Sequence, residues 1–224
     1  MNEKNQLGFI HKFIPSNVKA EWRGRGKAEP TFLLLHGTGG NEEDLIPVAR
    51  EMASDAAILS PRGKILEGGI AARFFRRLAE GVFDLEDLKF RTNELANFVN
   101  NASKIYGFDL QHVIALGYSN GANIASSMLL LRPEVLSAAI LFRAMVPFVP
   151  NSLPDLSNKY IFMSSGLYDS LIPKQDAERL FSLFESAGAK VSISWQNSGH
   201  ELVMAEVRKA KEWFYSSSSL SSSR

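Results

Sequence analysis

Gly117-Tyr118-Ser119-Asn120-Gly121 fits the pattern G-x-S-x-G. The motif follows the apolar run Val113-Ile114-Ala115-Leu116 and opens a helical stretch near Asn120. In a strand–turn–helix of this kind the turn is so tight that only small residues fit beside the serine. The serine Oγ then stands above the sheet at the start of a helix, placed for nucleophilic attack. Serine is also a common helix cap, but capping does not ask for glycine on both sides.

Such a hydroxyl needs a general base. The chain has four histidines. His11 falls in the first expected strand, and His112 opens the strand leading to Ser119, at the wrong end of the sheet. Both read as surface or edge residues. His36 follows a strand directly, but its glycine-rich loop suits another task. His200 follows the run Val191–Trp195 through Gln196-Asn197-Ser198-Gly199, just before the last helix. It is the candidate base, against the plainer reading of a surface residue at a helix start. An imidazole base predicts activity that falls below about pH 7.

A third group must orient the imidazole and stabilise its charged form. Asp169 is the only acid in the loop Ser165–Pro173, which follows the expected strand Tyr160–Ser164. Asp155 precedes that strand, and Asp176 lies in the next helix, where an acid in the first turn favours the helix dipole. Ser119, Asp169 and His200 stand in the chain order of α/β hydrolases, not that of chymotrypsin or subtilisin.

Tetrahedral acyl intermediates need two aimed N–H donors. His36-Gly37-Thr38-Gly39-Gly40-Asn41 follows the run Thr31–Leu35, and its glycines let backbone approach a ligand closely. The candidate oxyanion donors are the backbone N–H groups of Thr38 and Asn120, with their side chains incidental. A phosphate cradle is the rival. However, the G-x-G-x-x-G pattern begun at Gly37 ends on Glu42, and no G-K-[ST] follows.

These residues need a scaffold that brings strand ends together. Phe9–Ile14 and Ala20–Arg23 read as an opening strand pair. Thr31–Leu35, Ala56–Leu59 (stopped by Ser60-Pro61), Val113–Leu116, Ala138–Phe142, Tyr160–Ser164 and Val191–Trp195 are further strands. Helices are expected from Glu42 (capped by Asn41) to about Ala53, and over Leu85–Tyr106, Asn120–Arg132, Pro173–Ala187 and Glu201–Phe214. This alternation predicts an α/β fold with a mostly parallel central sheet flanked by helices. Ligands on such sheets bind at the carboxyl ends of the strands. No insertion is long enough for a separate cap domain. One domain is expected over residues 1–215, with 216–224 a disordered serine-rich tail.

Composition narrows the class. The 224 residues are 45% hydrophobic and 22% charged, ordinary for a globular chain. There are no cysteines, which excludes disulfides, thiolate metal sites and a cysteine nucleophile. The net charge of +1 offers no basic excess for nucleic acid or an acidic membrane. No apolar run approaches the ~20 residues of a membrane span, and the polar N-terminus lacks a secretory pattern. The expected location is the cytoplasm.

Leu35–Asn41, Gly117–Gly121, Gly166–Pro173 and Gly199-His200-Glu201-Leu202, in that order, resemble the motifs of the phospholipase/carboxylesterase family of α/β hydrolases. The resemblance runs from about Thr31 to Phe214. It implies the α/β-hydrolase fold, a triad at Ser119, Asp169 and His200, and oxyanion donors at Thr38 and Asn120. It also implies a small-molecule ester as substrate, with no cofactor or metal, and is compatible with a homodimer. Thioesterases and lysophospholipases of the same family are the alternative, and a non-catalytic binding protein on this fold is a further one. The thioesterase branch usually carries Leu after His-Gly and Gln after the nucleophile, where this chain has Thr38 and Asn120. Phe74, Phe75 and Met145 are candidate substrate contacts, with Phe83 a further one; core packing is the bland alternative for each Phe. Arg73, Arg76 and Arg77 read either as an anion site or as a solvated face.

Overall fold

Runs such as Thr31–Leu35 are too short for a helix and apolar at every position after the first, so they become strands covered on both faces. The computed structural model describes residues 7–17 and 30–220; the expected strand Ala20–Arg23 lies outside the described residues. The elements are β1 (His11–Ile14), β2 (Thr31–Leu35), α1 (Ile46–Met52), β3 (Ala57–Pro61), β4 (Ile65–Glu67), β5 (Ala71–Arg73), β6 (Arg77–Ala79), β7 (Val82–Phe83), α2 (Leu85–Tyr106), β8 (Val113–Tyr118), α3 (Asn120–Leu131), β9 (Ala138–Phe142), β10 (Tyr160–Gly166), α4 (Lys174–Ser186), β11 (Lys190–Gln196) and α5 (Met204–Leu220).

The main sheet has seven strands in the order β1-β3-β2-β8-β9-β10-β11. Only β1 is antiparallel, paired with β3 through His11↔Pro61 to Ile14↔Ile58. The rest are parallel. This is the mostly parallel sheet that the alternation of elements predicts, in the α/β-hydrolase arrangement that the family resemblance implies. Every residue of β2 is buried. Leu33 and Leu35 face one core with residues of α2, α3 and α4. Phe32 and Leu34 face the other, with α1 and α5. α3 is buried from Asn120 to Leu130, and the hydroxyls of Thr92 on α2 and Ser127 on α3 meet at 2.7 Å. Among the described residues no helix is long and apolar enough to cross a membrane.

Several boundaries differ from the sequence expectation, most by a residue or two, and the larger shifts have local reasons. α1 begins at Ile46, not Glu42, with Leu45 at its N-cap. A helix from Glu42 would hold Pro47 in its interior, where the ring lacks an N–H and clashes with the preceding turn; starting at Ile46 puts Pro47 in the first turn. Asn41 Oδ1 accepts from the Glu43 N–H and so closes a turn instead of capping a helix. β3 runs through Ser60 and Pro61, because its outer neighbour β1 is antiparallel and reaches that far. α5 begins at Met204, not Glu201, because the Glu201 carbonyl is taken by Arg143. It then continues to Leu220, into the stretch expected to be a disordered tail.

The segment between β3 and α2 forms two small antiparallel hairpins, β4–β5 and β6–β7. It is a strap across the end of the sheet, and among the described residues no separate cap stands above it.

Candidate active site

Ser119 occupies the turn between β8 and α3 with φ 52° and ψ −114°, a strained backbone conformation for a residue with a side chain. The neighbouring glycines explain why the strain is held. A Cβ on Gly117 would lie 2.7 Å from the backbone of Ala122, and one on Gly121 would run into the carbonyl of Leu35. α3 therefore sits against the end of β2, and the serine is the residue pushed outward. The Ser119 N–H donates to the Phe142 carbonyl at 2.9 Å, tying the turn to β9.

Three loops at the carboxyl edge bring the other candidates to it. Ser119 Oγ lies 2.9 Å from His200 Nε2, and His200 Nδ1 lies 2.8 Å from Asp169 Oδ2. The tautomer that satisfies both contacts has Nδ1–H donating to the carboxylate and Nε2 accepting from the hydroxyl. Asp169 Oδ1 accepts the N–H groups of Leu171 and Ile172 at 2.9 and 3.0 Å, which locks the carboxylate in place. Its side chain is 1% exposed, while that of His200 is 22% exposed. Asp155 sits before β10 and caps Ser157 instead, with no contact to the histidine.

The candidate oxyanion loop is held from the strap. Thr38 and Asn120 both line the cleft beside Ser119 and His200. Among the described residues no acceptor takes either backbone N–H. Their side chains, expected to be incidental, are the tie points. Arg73 Nη1 donates to Thr38 Oγ1 at 2.8 Å, and the Phe74 N–H donates to Asn120 Oδ1 at 2.8 Å. Gly39 N–H adds a bond to the Ala72 carbonyl at 2.9 Å. Arg73 is thus neither a surface cation nor free for an anion. It is 3% exposed and paired with Glu67 at 3.2 Å. Glu67 also takes two N–H bonds from Arg77, which hold its carboxyl below the usual range. Arg76 pairs with Asp84 at the surface.

His36 has the separate task that its loop suggested. Nδ1–H donates to the Gly37 carbonyl at 2.7 Å, and Nε2 accepts the Gly63 N–H at 3.0 Å. That pattern requires a neutral ring, and burial pushes its pKa below the ordinary value. The unfolded chain therefore takes up this proton at a higher pH than the folded one. The stability His36 contributes is complete above about pH 6.5 and is lost as pH falls through the lowered value. His36→Gln is expected to cost about 1–3 kcal/mol for the disrupted buried hydrogen bonds. It should also flatten the fall in stability between pH 6.5 and 5. Urea unfolding of both proteins across that range checks it; parallel curves for the two would refute the assignment.

The cleft is shallow, about 60 Å³, and Arg77, Phe83, Met145, Leu171 and Ile172 are among the residues that border it. Met145 is where the sequence expectation put it, held by its N–H to Asn123 Oδ1 at 3.0 Å. Phe74 and Phe75 are not. They are 2% and 0% exposed and face the core with Leu88 and Leu95. The strap crosses the sheet edge with these rings turned inward, where burial stabilises them, and leaves Phe83 at the cleft. A larger groove, about 430 Å³, runs between α4 and Val146–Val149 and contains none of the candidate residues. Among the described residues no three of His, Cys, Asp and Glu gather in a way that could hold a metal ion.

Sequence reasoning passed over Arg143 and Glu206, which pair behind the histidine loop with side chains 0% exposed. The available signal was an arginine inside the otherwise apolar stretch Ala138–Phe148.

No protein-family model matches the chain. The Bacillus subtilis (strain 168) protein named "Putative hydrolase MhqD" is 45% identical over 190 residues, 85% of this chain and 94% of that one. A crystal structure of the Bacillus cereus carboxylesterase superposes with TM-score 0.89 at 43% identity, covering 96% of this chain and 99% of the other. The structure of YahD with malic acid superposes with TM-score 0.84 at 31% identity, covering 93% and 98%.

Proposed function

The chain belongs to the phospholipase/carboxylesterase family of α/β hydrolases, and from that premise we propose that it cleaves small carboxylic esters through an acyl-enzyme on Ser119. The observation that carries this reading is the unbroken contact chain from Ser119 Oγ to His200 Nε2 and from His200 Nδ1 to Asp169 Oδ2.

His200 takes the Ser119 proton as Oγ attacks the ester carbonyl. Asp169 holds the imidazole in the accepting tautomer and stabilises the imidazolium that forms. The carbonyl oxygen gains charge and moves toward the amides of Thr38 and Asn120, which need no reorganisation to receive it. The C–O bond to the alcohol then breaks, and His200 protonates the leaving oxygen. Water enters, gives a proton to His200 and attacks the acyl-enzyme. Ser119 recovers its proton as the carboxylic acid departs.

Met145, Phe83, Leu171 and Ile172 form the apolar wall for the acyl or alcohol group. The small volume favours short groups, since a cleft of this size holds only a few water molecules' worth of matter. Ester hydrolysis is expected to prefer acetyl to butyryl groups over octanoyl and longer ones by about tenfold or more in kcat/KM, as extra methylenes find no pocket. A panel of p-nitrophenyl esters, acyl-CoA thioesters and lysophospholipids measures this. Higher kcat/KM on thioesters or lysophospholipids moves the substrate class within the family. Failure of a fluorophosphonate to label the Ser119 peptide would favour a non-catalytic binding protein.

A further inference from the structure

We propose that Arg143 is the positioning residue of the histidine loop: its buried guanidinium, clamped by Glu206, grips the chain on both sides of His200 and keeps the imidazole between Ser119 and Asp169. The inference rests on the serine-hydrolase reading above.

Arg143 is the first residue after β9. Its N–H donates to the Ser164 carbonyl at 2.9 Å, and it adopts φ 57°, uncommon for a residue other than glycine. The side chain spans from that turn to the loop between β11 and α5. Nε donates to the Gly199 carbonyl at 2.9 Å. Nη2 reaches the Glu201 carbonyl at 2.7 Å and Ser198 Oγ at 3.0 Å. The carbonyl between them, that of His200, takes the Tyr118 hydroxyl at 2.9 Å. Three successive carbonyls of an irregular loop are therefore each held by a side chain from below.

Glu206, on α5, fixes the guanidinium in turn. Its carboxylate receives Nη1 and Nη2 at 2.6 and 2.9 Å, the Ser164 hydroxyl at 2.5 Å and the Val203 N–H at 2.8 Å. Arg143 Nε also lies 3.9 Å from Asp169 Oδ2. One cation thus borders both the loop that carries the base and the acid that orients it.

A fully buried ion pair is a weak source of stability, because desolvation consumes much of the attraction and an apolar pair of similar volume often does as well. What an apolar pair cannot supply is a set of donors aimed at Ser198, Gly199 and Glu201. Lysine cannot supply it either, since a single ammonium lacks the planar fork. Misplacing a catalytic group by about 1 Å costs on the order of 10²-fold in rate, which sets the expected scale.

The test compares wild type with Arg143→Lys, Arg143→Met, Glu206→Gln and the double variant Arg143→Met/Glu206→Leu, by thermal melting and by kcat and KM on one short ester. Arg143→Lys is expected to lower kcat by about 10- to 100-fold with KM within about twofold. The double variant should regain most of the Tm lost by Arg143→Met, because no buried charge is left unpaired, while kcat stays at least about tenfold down.

The pH profile separates positioning from loosening. The charged and titratable groups around His200 are Asp169 from the acid loop, Glu201 from its own loop, Arg143 after β9, Glu206 on α5, Tyr118 on β8, and Arg73, Arg77 and Glu80 across the cleft. Glu206→Gln leaves the guanidinium uncompensated, so protonation of the base is disfavoured and the acid limb of kcat/KM moves to lower pH. Arg143→Met removes the cation, so the limb moves to higher pH. A loop that is merely loosened gives no such opposition of sign.

A folded double variant with kcat within about threefold of wild type would overturn the proposal. Should that variant not fold, Glu206→Gln decides: unchanged kcat and an unmoved acid limb overturn it, and a lowered kcat with the limb at lower pH supports it. The serine-hydrolase reading is tested separately, by fluorophosphonate labelling of the wild-type protein. Only a labelled, active wild type matched by its variants counts against Arg143.

Discussion

Ser119→Ala is expected to lower kcat on a short-chain ester by roughly 10⁴- to 10⁶-fold, because members of a triad act as a unit and losing one removes most of what they do together. The argument is local. The variant loses Oγ, the atom 2.9 Å from His200 Nε2, and nothing else in the cleft changes volume appreciably. Alanine accepts the turn conformation no worse than serine, since both carry a Cβ. The Ser119 N–H to Phe142 bond belongs to the backbone and survives. The melting temperature should therefore stay close to that of wild type, and fluorophosphonate labelling should vanish. Stopped assays at high protein concentration resolve the residual rate that the oxyanion amides and binding leave behind. A folded Ser119→Ala protein with more than a tenth of wild-type activity would sink the nucleophile assignment.

Asp169→Asn should lower kcat by about 10²- to 10⁴-fold, the upper figure being the cost of the wrong imidazole tautomer in the serine protease template. The Oδ1 position accepts two amides, from Leu171 and Ile172. An asparagine will keep its oxygen there and turn its NH₂ toward His200. That group donates where the carboxylate accepted, so Nδ1 must lose its proton and Nε2 must carry one. The imidazole then presents N–H to the serine and cannot take its proton. Asp155→Asn is the matched control. It removes the same charge, but Asp155 is exposed and bonds only Ser157, through its N–H and its side chain. Distant surface changes seldom move a catalytic group, so kcat should stay within about twofold. Measuring both on one ester decides between them, and a damaging Asp155→Asn with a harmless Asp169→Asn would remove the acid assignment.

Both experiments lean on residues that were legible in the chain, and the reason is topological. Each of Ser119, Asp169 and His200 comes directly after an apolar run, and all parallel strands of one sheet end on the same edge. Knowing only which run each residue followed was enough to bring together groups 31 and 81 positions apart. The glycines around Ser119 were legible for a different reason. Their constraint, the close packing of α3 on the ends of β8 and β2, is set by the turn itself.

What failed was the direction of some side chains in the strap. Phe74, Phe75 and Arg73 lie in the strap between β3 and α2, where no regular period tells inside from outside. The bonds from Arg73 to Thr38 and from the Phe74 N–H to Asn120 fix the strap so that the rings enter the core and the guanidinium is buried on Glu67. α1 starts late because Pro47 is tolerated only in the first turn, a constraint that outweighs the capping pattern at Asn41.

The sequence by itself determined the order of the helices and of the parallel strands of the main sheet, and the edge of that sheet at which the candidate residues gather. These follow from periodicity and from local turn sterics, which act over a few residues. Only the tertiary structure decided the pairing of β1 with β3, the inward turn of Phe74 and Phe75, and the Arg143–Glu206 clamp behind His200. The clamp joins residues 63 positions apart that have no shared pattern. A buried charge is tolerated only where the fold supplies partners for it, and those partners exist only once β9, β10, the histidine loop and α5 have packed together.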